Sequence, residues 1–178
     1  MLVAVIDDNA EAGERVRQTV EQVIAEHGAA IARVAAAFEA DRGRRDDLMQ
    51  EILVAIWQAL PRFRGEASLK TFVLRIAHHR AVDHVLREKN EPARDEIDAR
   101  HPDDRPTPER SASLGQQAER LLAAVRELQF EQRQLVTLAL EGLPHQQIAD
   151  VMGISVNNVA VRLSRARSAL HAKLGKDA

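Results

Sequence analysis

The chain has 178 residues, 45% of them hydrophobic and 29% charged, with a formal net charge of -2 and no cysteine. That length allows one or two compact cores. The lack of cysteine excludes a disulfide framework, a thiol nucleophile and any cysteine-ligated zinc site, and the net charge argues against a uniformly basic nucleic-acid binder. No stretch approaches the run of ~20 apolar residues that a membrane span needs. The N-terminus also lacks the basic region and apolar core of a secretory signal. The expectation is a soluble, cytoplasmic protein without membrane insertion.

Charge distribution says more than its sum. Asp7, Asp8, Glu11 and Glu14 make the first 14 residues acidic, and the stretch from Glu88 to Arg110 is acid-rich again. Basic residues gather in two places. Arg62, Arg64, Lys70, Arg75, Arg80, Arg87 and Lys89 form one group, and Arg162, Arg165, Arg167, Lys173 and Lys176 the other. Two basic surfaces separated by an acidic connector suggest two separate polyanion contacts.

In chain order, Leu2 to Ile6 offers the sole hint of β-alternation, and LVAVIDD looks like the opening strand and acidic pair of a receiver domain. The hundred or so further residues of a receiver do not follow, so residues 1–14 read as a short acidic extension. From Arg15 to Glu39, apolar residues recur at helical spacing, with Gly28 as a possible interruption. Asp46 to Leu60 carries a stripe of Leu48, Ile52, Ile56 and Leu60 and an adjoining one of Met49, Leu53 and Trp57, wide enough to face a core and a partner. Pro61 ends that helix. Ser68 can cap the next, which lines one face with Leu69, Phe72, Val73 and Ile76 and runs to about Leu86.

Residues 90–115 hold four of the six prolines among acidic and small polar residues, the composition of a flexible linker. Ser113 followed by Gln116 fits a capping box opening a second domain. Helices are expected over Gln116 to Glu127, Glu131 to Glu141, Pro144 to Met152 and Val156 to about Leu174. The fold class is thus all-α: a first helical domain over 15–89, the linker, and a second small helical domain over 116–178.

Residues 144–163, PHQQIADVMGISVNNVAVRL, meet the requirements of a helix-turn-helix. Ile148 and Met152 point inward from the first helix, and Ala149 is small where the helices cross. Gly153 supplies a turn whose left-handed backbone only glycine adopts cheaply. Ile154 plugs the corner, Ser155 sits at the N-cap, and Val156, Val159 and Leu163 form the buried side of the second helix. Asn157, Asn158, Ala160, Val161, Arg162 and Arg165 are left to face DNA, where Asn can read adenine and Arg can pair guanine or grip phosphate.

The stretch from Asp46 to Arg87 resembles the second conserved domain of extracytoplasmic-function sigma factors. The resemblance is carried by Asp47, Leu48, Gln50, Glu51, Trp57, the turn Phe63-Arg64-Gly65, Arg75-Ile76-Ala77, Ala81 and Asp83. The helix-turn-helix looks like the family's fourth domain, including Arg162, Leu163, Arg165, Ala166 and Arg167. The resemblance implies a transcription initiation factor that is not an enzyme and needs no cofactor. Its partners would be core RNA polymerase, promoter DNA and an anti-sigma factor. Asp47, Leu48, Gln50, Glu51 and Trp57 would dock on the polymerase clamp helices. Arg62, Phe63, Arg64, Lys70, Arg75, His79 and Arg80 would hold the separated −10 strand, supplying cations and a stacking surface. Ser155, Asn157, Asn158, Val161, Arg162 and Arg165 would read the −35 element. Phe72, Leu74 and His79 stand where the family usually has Trp, an aromatic residue and Asn, so promoter preference is not carried over.

His78, His79, Asp83 and His84 could suggest a metal site, but no second cluster completes a set of zinc ligands, and no metal is expected. A sigma-mimicking adaptor that sequesters an anti-sigma factor is the alternative reading. Retention of Arg162, Arg165 and Arg167 weighs against it, since a mimic has no need of DNA-facing cations.

Overall fold

The computed structural model describes the backbone of residues 2–90 and 109–175 and the side chains of residues 20–90 and 115–175. Within them the chain forms seven α-helices and no strand: α1 (Leu2–Phe38), α2 (Arg42–Ala59), α3 (Leu69–Asn90), α4 (Glu109–Arg126), α5 (Phe130–Leu140), α6 (His145–Met152) and α7 (Val156–Leu174). Most of the stretch read as a linker lies outside the described residues.

The ends of the helices in the first half follow from local chemistry. The Asp41 side chain accepts from the Arg44 backbone N–H at 2.9 Å and caps α2, satisfying a donor that the first turn cannot. After α2, Leu60–Arg62 forms a 3-10 turn with Pro61 near its start. The Ser68 hydroxyl then accepts from Thr71 N–H at 3.1 Å, so the expected cap of α3 is present. Val23, Ile31, Val34 and Phe38 of α1 pack on Leu48, Ile52 and Ile56 of α2 and on Val73, Leu74, Ala77, Ala81 and Val85 of α3.

The second half repeats the logic with shorter helices. Ile148 and Ala149 of α6 and Val159, Leu163, Ala166 and Leu170 of α7 close over Leu135 and Leu138 of α5 and Val125 of α4. α1 meets α4 and α5, and α3 meets α5, so the two halves share one continuous apolar core.

Several sequence expectations need correction. Leu2 to Ile6 is helical, not extended, and α1 passes through Gly28 without a break. A glycine inside a helix costs about 1 kcal/mol, which the burial of Val23, Ile31 and Val34 around it outweighs. α3 runs to Asn90, beyond Leu86. α4 begins at Glu109, so Ser113 lies inside a helix and does not cap one. Val156 is 38% exposed, because the first turn of α7 rises off the core; Met152 is only partly buried.

His78 is an unusual core residue. It is 2% exposed, and among the described residues neither ring nitrogen has a hydrogen-bond partner. Burial, with a smaller contribution from His79, lowers its pKa to about 4, so the ring is neutral in the native protein. The unfolded chain takes up a proton near pH 6.5 and the native one does not, so stability falls as pH drops from about 6.5 towards 4. Between pH 6.5 and 5, wild type is expected to lose about 2 kcal/mol more than His78→Leu, read from urea midpoints. Equal losses in the two proteins would show that this ring does not carry the dependence.

Gly153 adopts φ 66°, ψ 32° at the end of α6, and among the described residues nothing lies within 4 Å of where a Cβ would sit. Gly153→Ala therefore tests backbone strain alone. A loss of about 1–2 kcal/mol in urea unfolding is expected, and an unchanged midpoint would mean that the turn relaxes.

Candidate polymerase and nucleic-acid interfaces

Three surfaces emerge. The first is the outer face of α2. Asp47, Gln50 and Glu51 are exposed there, and Trp57 and Val54 are each 51% exposed. Two large apolar side chains one turn apart, beside acidic ones, make an amphipathic strip suited to a partner helix. Leu48 does not belong to it. That side chain is fully buried and holds α2 on the core. Glu51 is paired with Arg87 of α3 at 2.5 Å. Val54 falls in neither apolar stripe of the sequence and joins the strip only in the folded helix, three residues before Trp57.

The second surface is the loop after α2 with the start of α3. Phe63 rests on Phe72, ring centroids 4.9 Å apart and planes tilted 46°. Gly65 takes φ 74°, which lets the loop double back. Arg62, Arg64 and Arg75, with Phe63, Phe72, Thr71, Ala67 and the single carboxylate of Glu66, line a recess of about 170 Å³. An aromatic wall rimmed by three guanidinium groups suits an unstacked base and its phosphates. Thr71 was missed; its place three residues after the Ser68 cap is the signal that could have found it.

The other predicted residues of this surface are dispersed. Lys70 is exposed at the start of α3. Arg80 lies in a separate shallow groove with Asp83, Leu86, Arg87 and Asn90. His79 turns to the second half of the molecule, its Nε2 3.4 Å from the Val151 carbonyl oxygen.

The third surface is the helix-turn-helix. α6 ends at Gly153, and the Ser155 hydroxyl accepts from Asn158 N–H at 3.2 Å to start α7. Asn157, Asn158, Val161 and Arg165 are exposed along α7. Ala160 is half-buried. Arg162 is also half-buried and donates to Glu131 of α5 at 3.1 Å. Val156 joins the exposed face.

The histidines do not cluster as their spacing suggested. His78 is in the core, whereas His84 lies 2.9 Å from Glu39 and 3.6 Å from Glu88. Arg44 reaches both carboxylates, with Nη1 2.9 Å from Glu88 and Nε 3.5 Å from Glu39. The guanidinium already supplies the cation between the two carboxylates, and the network ties α1, α2 and α3 together.

Known proteins match both halves. Residues 23–91 match Sigma-70 region 2, and residues 118–170 match Sigma-70 region 4. The chain is 32% identical over 142 residues to the ECF RNA polymerase sigma factor SigC of Mycobacterium tuberculosis, covering 79% of this chain and 76% of that one. It is 28% identical over 158 residues to the RNA polymerase sigma factor NccH of Alcaligenes xylosoxydans xylosoxydans, covering 86% and 85% of the two chains. Among solved structures, CnrH in complex with the cytosolic domain of CnrY superposes with a TM-score of 0.67 at 25% identity, over 95% of this chain and 96% of that one. RpoE in complex with the anti-sigma factor NepR from Bartonella quintana shares the fold, with a TM-score of 0.66 at 20% identity, over 89% and 98% of the two chains. Among the described residues no helix is long and apolar enough to cross a membrane. The chain belongs to the extracytoplasmic-function family of RNA polymerase sigma factors, transcription initiation factors that direct the polymerase to promoters and are not catalysts.

Proposed function

We propose that the three surfaces divide the work of initiation. The α2 strip of Asp47, Gln50, Glu51, Val54 and Trp57 holds core polymerase. The recess walled by Phe63 and Phe72 captures the separated −10 strand, with Arg62, Arg64 and Arg75 on its phosphates. The exposed face of α7 reads the −35 duplex through Asn157, Asn158, Val161 and Arg165, with Arg162 released from Glu131. The supporting observation is the recess itself: two aromatic rings in contact, tilted 46° to each other, open beside three guanidinium groups and suit an unpaired base and its phosphates. The site of action is the cytoplasm, the chain has no catalytic step of its own, and an anti-sigma factor controls it. The last point is supported by the anti-sigma complex solved for RpoE of Bartonella quintana.

Reconstitution with core polymerase on genomic fragments tests the reading. Promoter-specific transcripts are expected, and their absence on every fragment would sink it. Arg64→Ala should reduce open-complex formation about 10-fold, the loss of one charge-assisted phosphate contact, without changing polymerase affinity. Arg165→Ala should lower −35 duplex affinity and reduce the slope of log K against log salt by about 0.9. An unchanged slope would mean that Arg165 does not touch phosphate.

A further inference from the structure

One apolar side chain of the second helical unit has no place in its core. Val161 of α7 is 44% exposed and, among the described residues, is not packed against the apolar core. Val159 and Leu163, two positions to either side, are 0% and 2% exposed. Two residues turn a helix by about 200°, so Val161 points directly away from the side that holds α7 on α5 and α6. Its neighbours one turn away are Asn157, Asn158, Ser164 and Arg165, all exposed and none apolar. Asn157, Val161 and Arg165, at intervals of four, form one outward line of an amide, an isopropyl group and a guanidinium. The helix itself gains nothing from valine here, since a β-branched residue is a poorer helix former than alanine.

Resting on the reading of α7 as the duplex-binding helix, we propose that Val161 reads the C5-methyl group of a thymine in the −35 duplex and determines specificity for thymine at that position. An isopropyl group has neither donor nor acceptor, so the hydrogen-bonding pattern of a base edge is invisible to it. The thymine methyl is the one apolar group that the four bases present in the major groove. Valine suits it, because β-branching leaves one strongly preferred χ1 rotamer in a helix. Two methyl groups are thus held in a fixed place, and little side-chain entropy is lost on contact. The start of α7 is equally fixed, by the Ser155 hydroxyl accepting from Asn158 N–H at 3.2 Å. The flanking groups of the line divide the remaining tasks. Asn157 offers the amide pair that matches adenine N6 and N7, and Arg165 a cation for phosphate. Arg162 stands off this line, 3.1 Å from Glu131. Four residues of helix rise by about 6 Å, so the thymine lies within roughly two base-pair steps of the base that Asn157 reads.

The full chain bound to core polymerase is first used to select binders from a pool of randomised, promoter-length duplexes. Each thymine of the enriched upstream element is then replaced, one at a time, by deoxyuridine, which pairs like thymine and lacks only the methyl. Wild type is expected to lose about 4-fold in affinity at one thymine, the burial of one methyl group, and less than about 1.5-fold at the others. Val161→Ala places the better helix former at an exposed position, so the variant is expected to fold as wild type does. It should bind the thymine duplex about 4-fold more weakly than wild type and bind thymine and uracil duplexes alike. Cytosine at the same position should weaken wild type, and 5-methylcytosine should recover about 4-fold in wild type but not in Val161→Ala. Indifference of wild type to uracil at every position overturns the inference, as does a uracil penalty that persists undiminished in Val161→Ala. Loss of core-polymerase affinity in Val161→Ala, with no uracil penalty in wild type, assigns this side chain to a protein contact and overturns it too. An enriched element together with any of these results leaves the duplex reading of α7 standing. No enriched element, with duplex affinity also unchanged in Asn157→Ala and Arg165→Ala, overturns that reading and the role of Val161 with it.

Discussion

The ring of Phe38 is where the molecule is held together. It is 5% exposed at the last turn of α1. His78 of α3 meets it edge-on at 6.1 Å and Phe130 of α5 at 6.4 Å, with interplanar angles of 85° and 88°. Edge-to-face contacts at such separations add to the free energy of burying each ring. The guanidinium of Arg133 stands 6.0 Å from the ring centre, and burial lowers the pKa of that group. One side chain thus joins two helices of the first unit to the second, and the geometry of every surface outward from it depends on that contact.

Around this apolar centre, polar contacts satisfy helix ends both across the seam and within the second unit. Arg126 of α4 donates to the Ala36 carbonyl at 2.8 Å, close to the end of α1, where carbonyls lack partners within the helix. Arg133 likewise donates to the Arg126 carbonyl at the end of α4. Lys89, in the last turn of α3, sits 5.0 Å over the Phe130 ring. An interface built this way is specific in register and still polar enough to part, as contacts between domains of one chain commonly are.

The sequence made the helices legible wherever apolar spacing and a cap agreed. Ser68 and Ser155 were both identified as caps and both cap. Gly153 was placed in the turn of the helix-turn-helix and takes the left-handed conformation that the turn needs. What failed shared a cause, since each failure required knowing what a residue packs against. Gly28 looked like a break because its cost is local and its compensation is not. Leu48 looked like a contact because the motif that includes it mixes exposed and buried positions on adjacent helix faces. Val54 lies outside both apolar stripes, so its place beside Trp57 showed only in the folded helix. The Glu39–His84–Arg44–Glu88 network was invisible because its members come from the turn after α1, from α2 and from α3, and charge spacing along a chain predicts only neighbours on one helix. The pairing of Arg33 with Glu141 was equally hidden, since 108 residues separate them.

That long separation bears on how the chain can work. A recess for an unpaired base needs its walls fixed by local sequence, and Phe63, Gly65, Phe72 and the Ser68 cap all lie within ten residues. The duplex-reading role proposed for α7 needs the same, and Gly153, Ser155 and the exposed face of α7 lie within a similar span. Contacts between the units join residues far apart in sequence, so they can form and break without disturbing either local constellation. Each proposed DNA surface is therefore built from neighbours in sequence, while their relation is set by one buried carboxylate, a few hydrogen bonds and the Phe38 cluster. In such a molecule the freedom lies in the seam, and a partner that favours one arrangement of the two units over the other shifts their balance by its difference in affinity for them.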